Sequence, residues 1–273
     1  MPELPEVESV VRSLVKHVTG DVIESAWFSG KPQTFKCSPR QIAEAIENAQ
    51  ITRVHRQGKH IILDLERSNG SSDRAQWIVH LGMTGRMLVT QREAEVEKHT
   101  HVIATLRSGR EIRFVDPRRF GRTWVITDAA GFEAGGVEPL EVAFEDFAKL
   151  FRGRKTPIKS ALLNQKLLRG VGNIYADESL FRAGIRPRRS ASSLSRNDLR
   201  RLYDSVQQVL KEAIAAGGSS ISDYVDAEGE PGFFQIQHRV YGREGAPCVA
   251  CGSPIKRILV AGRGTHYCPK CQK

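Results

Sequence analysis

The chain has 273 residues, 40% apolar and 26% charged, so it is long enough for two compact domains with hydrophobic cores and is not expected to be disordered. It carries 41 basic and 31 acidic residues, and the formal net charge of +10 favours a polyanionic partner, nucleic acid before an anionic membrane. No apolar run approaches the ~20 residues of a membrane span, and the start MPELPEVE is acidic and broken by proline, unlike a signal peptide, so a cytosolic protein is expected.

The first predicted element is a helix over residues 3–18, because apolar side chains recur there at helical spacing and Pro5 lies where a first helical turn tolerates proline. From about residue 21 to 127, short β-branched runs alternate with turn residues. They predict strands over 51–54, 60–65, 77–81, 101–106, 111–115 and 123–126, with a polar hairpin loop over 66–74. Several short strands at this spacing indicate an antiparallel sandwich or barrel.

The pattern changes again after the last of these strands. Residues 128–140 show no periodicity and are interpreted as a connection between domains. Beyond it, Phe144–Phe151 carries one apolar helical face, and a capping box that begins at Ser195 opens a second helix. Gly217 is expected to end that helix, so the second half of the chain is predicted to be mainly helical.

A glycine-containing turn lies inside the segment KSALLNQKLLRGVGNIYADESLFRAG, between two apolar helical pieces. The glycines permit a tight bend, and Asn173 heads the second helix, whose first N–H groups favour an anion. An ordinary helix–helix turn with an Asn cap explains the same residues equally well. The segment by itself therefore leaves phosphate binding and a simple turn open.

Four of the five cysteines form two CxxC pairs, Cys248 with Cys251 and Cys268 with Cys271, separated by 16 residues. Two such pairs at this distance predict one tetrahedral Zn²⁺ bound by four thiolates. A site with four protein ligands has no open position, so the zinc is expected to be structural and to fold the small basic tail that contains it. The fifth cysteine, Cys37, is expected to be a small, half-buried residue.

The amino terminus combines a potential nucleophile with potential acids. Proline after Met1 permits removal of the initiator, which leaves a secondary amine on Pro2. An α-amino group titrates at about pH 8, so a neutral fraction exists at physiological pH and can attack a sugar carbon to form an iminium. Glu3 lies beside this amine and Glu6 lies one helical turn further on. Taken alone, these residues are better explained as an acidic, proline-containing helix start.

Seven segments in chain order together resemble formamidopyrimidine-DNA glycosylase, a bacterial enzyme that removes oxidised purines. They are MPELPEV, QGKHIIL, HLGMTGRM, FVDPRRFGR, LLRGVGNIYADESLF, GFFQIQHRVYGREG and the terminal four-cysteine finger with GRGTHYCPKCQ. The resemblance covers essentially the whole chain. It implies an α+β protein with an N-terminal antiparallel β-sandwich and leading helix over 1–130, a linker over 131–140, a helical helix–two-turn–helix domain over 141–235 and a C-terminal zinc-finger module over 236–273.

The resemblance also implies an activity. Oxidised purines, such as 8-oxoguanine and formamidopyrimidines, would be excised from duplex DNA through a Schiff base on the N-terminal proline. Strand cleavage by β- and δ-elimination would follow. Damaged double-stranded DNA is the implied partner and one structural Zn²⁺ the implied cofactor. A monomer in the bacterial cytosol, associated with the nucleoid when on DNA and with no membrane partner, is the implied state.

The same motifs imply catalytic and base-facing residues. Pro2 would be the nucleophile at C1′ of the lesion nucleotide, and Glu3 the general acid toward the sugar ring oxygen. Lys59 would hold phosphate near the lesion, and Arg263 completes the catalytic set. The residues that would face the flipped base are Glu6, Ser219 and Ser220.

Other motif positions imply contacts with the DNA. Phosphate-contacting positions are matched by His80, Lys159, Asn173, Tyr241, Arg257 and Arg263. The gap left by the extruded nucleotide would be filled by Met83, Arg118 and Phe120, with Arg118 also contacting DNA. This set is physically sensible, because an apolar wedge and a cation offset the stacking and pairing that a flipped base gives up.

Base selection stays open at two positions. The family often has threonines after the two glycines, whereas this chain has Ser219 and Ser220. An endonuclease VIII-like enzyme for oxidised pyrimidines shares the fold and the proline, but it usually has Gly after the first Glu. Leu4 and the DPRRFG segment favour the purine enzyme.

A non-catalytic paralogue that binds damaged DNA is an alternative from a different functional class. The basic charge, the zinc finger and the helical turn fit both the paralogue and the enzyme. Binding alone does not need the set of Pro2, Glu3 and Lys59, whereas covalent catalysis does. The presence of all three therefore favours the enzyme.

Overall fold

A computed structural model describes residues 1–67, 74–221 and 224–273, so most of the polar loop predicted over 66–74 lies outside the described residues. The chain divides into two compact units. The first comprises Met1–Ala134 and Gly217–Gly232, and the second comprises Gly135–Ala216 and Phe233–Lys273. The segment Gly217–Gly232, which the predicted boundaries assign to the helical domain, therefore packs with the N-terminal residues.

The first unit is built around an antiparallel β-sandwich. Its strands are β1 (Ile23–Phe28), β2 (Gln50–Gln57), β3 (His60–Glu66), β4 (Arg74–His80), β5 (Arg86–Gln91), β6 (Thr100–Leu106), β7 (Arg110–Val115) and β8 (Arg122–Ile126). Among the described residues they form two four-stranded antiparallel sheets, ordered β1–β6–β7–β5 and β2–β3–β4–β8. All six predicted strands are confirmed, whereas β1 and β5 were not predicted from the sequence.

Two helices complete this unit. The predicted N-terminal helix is confirmed as α1 (Leu4–Val18), and a second helix, α2 (Pro39–Ile46), was not predicted. The core-facing apolar side chains of α1, such as the fully buried Val10, pack in one core with Trp77 and Phe114 from the two sheets. This burial fixes α1, and with it the chain terminus, against the sandwich.

The second unit is mainly helical. Its elements are α3 (Phe144–Phe151), α4 (Ile158–Leu163), α5 (Asn173–Ala183), α6 (Arg196–Ala215) and a hairpin of β9 (Lys256–Val260) and β10 (Arg263–Tyr267). The predicted capping box opens α6, since Ser195 Oγ accepts the Asp198 N–H at 3.1 Å and Asp198 Oδ2 accepts the Ser195 N–H at 3.0 Å. Among the described residues, no helix combines the length and apolar character that crossing a bilayer requires.

Candidate active site and nucleic-acid interface

The candidate nucleophile lies directly before α1. Pro2 and Glu3 are buried, whereas Met1 is half exposed. Glu6 fixes this segment, because its Oε2 accepts the Glu3 N–H at 2.8 Å and its Oε1 accepts the Ser219 N–H at 2.8 Å. A carboxylate that accepts two amide hydrogens has both of its oxygens held in place. Glu6 is 1% exposed, so it joins the chain terminus to the segment around Ser219 from inside the fold.

The segment that carries the two serines packs tightly on α1. Gly218 has φ +85°, and a Cβ there would lie 2.9 Å from Glu6 Oε1, so only glycine fits. The Tyr224 hydroxyl lies 3.1 Å from the Glu6 carbonyl oxygen and 3.0 Å from that of Gly217. The Ser220 hydroxyl donates to the Tyr224 carbonyl at 2.8 Å. The predicted base-facing residues are thus brought together within the first unit.

Lys59 lies at the turn between β2 and β3 and is 8% exposed. The turn is tied to α1 through Arg56, whose Nη1 donates to the Gly58 carbonyl at 3.0 Å and whose Nε donates to Glu8 at 3.0 Å. Because Glu8 belongs to α1, the hairpin with Lys59 and the helix that follows Pro2 are held by one buried guanidinium. The three predicted catalytic residues of the first unit are therefore positioned by connected elements.

Met83 and Phe120 are large apolar side chains that remain 40% and 49% exposed. Their loops touch through backbone, since Gly82 has φ +67° and a Cβ there would lie 2.4 Å from the backbone of Phe120 and Gly121. The Arg118 guanidinium lies 4.8 Å from the centre of the Phe120 ring. Phe120 thus lies beside a cation, and both apolar side chains remain accessible, as the predicted gap-filling role requires.

Asp116 holds these two loops together. This residue was not identified from the sequence. Its carboxylate accepts the Thr84 hydroxyl at 2.6 Å and the Gly121 N–H at 2.7 Å, and Asp116 is fully buried. It also accepts the Arg118 N–H at 3.3 Å. An aspartate two residues before an amide that it accepts is a common turn pattern, so the DPRR sequence does carry a signal for this role.

His80 and His60 form a neutral pair on neighbouring strands, with ring centres 5.0 Å apart. Burial first, and then nearby positive charges, lower the pKa of each imidazole to about 4. His80 Nδ1 accepts the Gly82 N–H at 3.1 Å, and this hydrogen-bond assignment leaves the ring proton on Nε2. His80 is therefore a hydrogen-bond donor at neutral pH and carries no charge of its own.

In the second unit, Lys159 is fully buried. Its Nζ lies 2.7 Å from Asp177 Oδ1 and donates to the Gly264 carbonyl at 3.1 Å and to Thr265 Oγ1 at 2.8 Å. Full burial with three internal partners does not fit the predicted direct contact with phosphate. Lys159 instead supports β10 from inside the fold.

Three other predicted phosphate-contacting residues of the second unit lie on or beside the same hairpin. Asn173 is the first residue of α5, and its Nδ2 donates to the Gly264 carbonyl at 3.0 Å. Arg263 is exposed and begins β10 directly after a turn in which Ala261 and Gly262 have positive φ. The exposed Arg257 lies across the hairpin, where a Cβ added at Gly264 would come within 3.1 Å of its guanidinium.

Tyr241 is held by a residue that sequence reasoning missed. The carboxylate of Glu178 on α5 accepts the N–H groups of Arg239, Val240 and Tyr241 at 2.9–3.0 Å. Burial raises the pKa of Glu178, and the three amide donors oppose that shift. The Tyr241 ring lies 5.2 Å from the ring of His266 on β10. No local pattern marks Glu178, since its partners lie about 60 residues away.

The four cysteines meet at one point. The sulfurs of Cys248, Cys251, Cys268 and Cys271 all lie within 4.8 Å of one another, with Cys248–Cys271 at 3.9 Å and Cys251–Cys268 at 3.5 Å. Four Zn–S bonds of about 2.3 Å in a tetrahedron require sulfurs about 3.8 Å apart, so the set fits one zinc ion. Burial first, and then the neighbouring sulfurs, raise the pKa of Cys271 to about 12, and a bound cation would favour its thiolate.

Three family models match the chain in order. Residues 1–123 match the formamidopyrimidine-DNA glycosylase N-terminal domain, and residues 136–225 match the H2TH domain of the same enzyme. Residues 245–273 match the zinc finger found in FPG and IleRS. The predicted structural zinc is supported both by this match and by the sulfur geometry.

Known relatives span the chain from end to end. The formamidopyrimidine-DNA glycosylases of Solibacter usitatus and Listeria monocytogenes are 47% and 39% identical, each covering 100% of both chains. The solved MutM (FPG) protein of Thermus thermophilus is 41% identical with a TM-score of 0.86, covering 99% of this chain and 98% of that one. A Lactococcus lactis FPG mutant in complex with Fapy-dG-containing DNA is 34% identical with a TM-score of 0.90, covering 100% of both. The chain therefore belongs to the formamidopyrimidine-DNA glycosylase family.

Proposed function

We propose that this chain is a DNA glycosylase and abasic-site lyase that excises oxidised purines from duplex DNA. The observation that carries the proposal is the arrangement before α1, where Pro2 and Glu3 are buried, Glu6 fixes the Glu3 backbone, and Arg56 ties the Lys59 turn to the same helix. The names of the relatives, and the Lactococcus lactis FPG complexes with Fapy-dG-containing DNA and abasic-site-containing DNA, support damaged DNA as the partner.

In the proposed mechanism, the neutral amine of Pro2, freed by loss of Met1, attacks C1′ of the lesion nucleotide. Glu3 donates a proton to the ring oxygen as the sugar opens, and the base leaves with the electron pair of the C1′–N bond. The resulting iminium acidifies C2′, so that loss of a C2′ proton expels the 3′ phosphate, and a second elimination expels the 5′ phosphate. Water then hydrolyses the remaining sugar from Pro2.

The DNA contacts are proposed from the family motifs, with support from the exposed charges of Arg118, Arg257 and Arg263. Met83, Phe120 and Arg118 fill the gap that the flipped nucleotide leaves, and Lys59 with His80 contacts phosphate near the lesion. In the second unit, the phosphate contacts are Asn173, Tyr241, Arg257 and Arg263. The Glu6 carboxylate is fixed by two amides, so it shapes the pocket around Ser219 and Ser220 for the flipped base.

Borohydride trapping tests the reaction and the substrate class together. The protein is incubated with duplexes that carry an oxidised purine, an oxidised pyrimidine or an undamaged base, with borohydride present to reduce the iminium. We expect a covalent complex chiefly on the purine duplex and none on undamaged DNA. Protein with an uncleaved N-terminal extension serves as the control, because an amide nitrogen cannot form an iminium.

Two results would contradict the proposal. Stronger trapping on the oxidised pyrimidine would overturn the purine assignment and favour an endonuclease VIII-like enzyme. Full base excision by the extended protein, with the extension verified by mass spectrometry, would exclude Pro2 as the nucleophile.

A further inference from the structure

Helix α5 buries two successive carboxylates, Asp177 and Glu178, and each is 0% exposed. An ionised carboxylate removed from water is unfavourable unless charges or hydrogen bonds compensate it. Glu178 is compensated by three backbone amides, as described above. Asp177 is compensated differently, by the ammonium of Lys159 at 2.7 Å and by the His266 N–H at 2.8 Å.

A continuous set of contacts leads from Asp177 to the backbone of Arg263. Asp177 holds Lys159 Nζ, and Lys159 donates to Thr265 Oγ1 at 2.8 Å. The Thr265 hydroxyl in turn donates to the Arg263 carbonyl at 3.0 Å. Lys159 also donates to the carbonyl of Gly264, the residue after Arg263. Lys159, which depends on one buried carboxylate, therefore holds the strand that presents Arg263 at two consecutive residues, and Asn173 adds a second donor to the Gly264 carbonyl.

External support matters here because the hairpin is small. Strands β9 and β10 contain five residues each and pair only with each other among the described residues. An isolated two-stranded hairpin is at best marginally stable in water. The Arg263 side chain is exposed and follows directly on a strained turn, so contacts from β9 alone leave its direction poorly fixed.

We propose that Asp177 is a positioning residue for Arg263: through Lys159 it fixes the β10 backbone so that the Arg263 guanidinium meets a DNA phosphate. The inference rests on the proposed function, in which Arg263 contacts DNA. It gives buried Lys159 an indirect part in DNA binding, through the strand that it supports. It also assigns different roles to the two adjacent carboxylates, since Glu178 holds the Tyr241 segment while Asp177 holds the Arg263 strand.

The test measures equilibrium binding to a duplex with a stable tetrahydrofuran abasic analogue over a range of salt concentrations. Each lost phosphate contact flattens the slope of log K against log salt by about 0.9. We expect Asp177→Asn to flatten the slope as much as Arg263→Ala does, and the double variant to lose no more than either alone. Glu178→Gln is the matched comparison from the same helix, and its loss should add to that of Arg263→Ala.

A second variant protects the test against misfolding. Lys159→Met with Asp177→Leu replaces the buried pair by apolar side chains of similar size, an exchange that commonly leaves proteins folded. It should keep one zinc per chain and still show the flattened slope, again without adding to Arg263→Ala. Loss of zinc in step with affinity would show a folding role only and would overturn the proposal.

The remaining outcomes are equally decisive. A wild-type slope in both Asp177 variants, beside a flattened slope in Arg263→Ala, would overturn the positioning role and leave the proposed function intact. Additive losses would do the same, because they require independent contacts. An unchanged slope in Arg263→Ala would remove Arg263 from the DNA interface and the inference with it, whereas failure of the proposed reaction appears separately in borohydride trapping.

Discussion

Glu3 carries the acid step of the proposed reaction, and its chemistry separates that step from nucleophilic attack. Glu3→Gln removes the ionisable proton while leaving the Pro2 amine in place. We expect single-turnover base excision to fall by about 10²-fold or more, the usual contribution of a general acid. Borohydride trapping at a preformed abasic site should survive in part, because its aldehyde needs no acid-assisted ring opening. Glu24→Gln, an exposed change on β1, is the control, and equal losses in both assays would argue against the role of Glu3.

His60 and His80 predict a pH dependence of stability. Their folded pKa of about 4 lies below the ordinary value of 6.5, so the unfolded chain binds more protons between these limits. Stability is therefore full above pH 6.5 and falls as the pH drops toward 4, by about 2 kcal/mol per imidazole at pH 5. Urea unfolding at pH 7.5 and pH 5, followed by tryptophan fluorescence, measures this loss.

Two histidine variants test whether the loss of stability at low pH comes from His60 and His80. His60→Gln should show a smaller loss between the two pH values, and His99→Gln, an exposed change, should keep the wild-type loss. Fluorescence reports on the first unit alone, because Trp27, Trp77 and Trp124 all belong to it and the chain has three tryptophans. An identical pH dependence in His60→Gln and wild type would contradict the assignment.

Residue roles were predictable from the sequence only where the partners are local or a motif names them. The zinc site was predictable from the cysteines alone, because each CxxC pair places two sulfurs close together. Asp177 and Glu178 carry no such signal, since the backbone amides that donate to their carboxylates lie about 60 to 90 residues away in sequence. Lys159 was predicted to contact phosphate, because a sequence shows that a lysine is charged but not that an aspartate is buried beside it.

At the scale of elements, the β-branched runs predicted six of the eight sandwich strands and missed β1 and β5. Strand β1 is exposed at Glu24, Ser25 and Trp27, so its pattern resembles a loop. Helix α2 buries only Ile42 and Ile46, whereas the equally short α3 buries three phenylalanines, so the apolar repeat of α2 is weaker. A signal for it was nevertheless present: Ser38 and Gln41 form a capping box around Pro39 at the first helical position.

The zinc module is the element whose loss is easiest to isolate. Cys268→Ser removes one of four ligands, so we expect loss of the metal, a loosened hairpin and weaker DNA binding. The tryptophan unfolding transition should stay as in wild type, because the tryptophans lie in the other unit. Cys37→Ser, a change outside the sulfur cluster, controls for thiol loss. Loss of zinc with undiminished DNA affinity would show that the finger does not serve DNA binding.

At the scale of the whole molecule, the resemblance predicted the architecture, but not that Gly217–Gly232 packs with the first unit. That packing depends on single groups, such as the Tyr224 hydroxyl and Glu6 Oε1, together with the fully buried Ala227. Isolated contacts of this kind leave no periodic trace in a sequence. Such contacts form only after the rest of the first unit has folded, so the sequence does not show which unit the segment will join.

Tyr224→Phe tests how much this segment stabilises the first unit. The change keeps the ring but removes the hydroxyl from the Glu6 and Gly217 carbonyls, so we expect a loss of about 1–3 kcal/mol in the tryptophan-detected transition. Tyr203→Phe is the matched control, because its hydroxyl donates to the Val142 carbonyl at 3.0 Å in the second unit. It should leave the tryptophan transition unchanged, and an equal loss in both variants would contradict the assignment of Gly217–Gly232 to the first unit.

The division of the first unit into two stretches of chain has a consequence during synthesis on the ribosome. The sandwich lacks part of its core until Tyr224 and Ala227 have left the exit tunnel, although its strands end near residue 126. At elongation rates of about 5 to 20 residues per second, roughly 100 further residues take about 5 to 20 s. During that interval the first unit is incomplete. The contact between Glu6 and Ser219, which helps to fix Glu3 beside the proposed nucleophile Pro2, has not yet formed. The residues around Pro2 are therefore synthesised first, but their surroundings are complete only after Gly217–Gly232 has been synthesised.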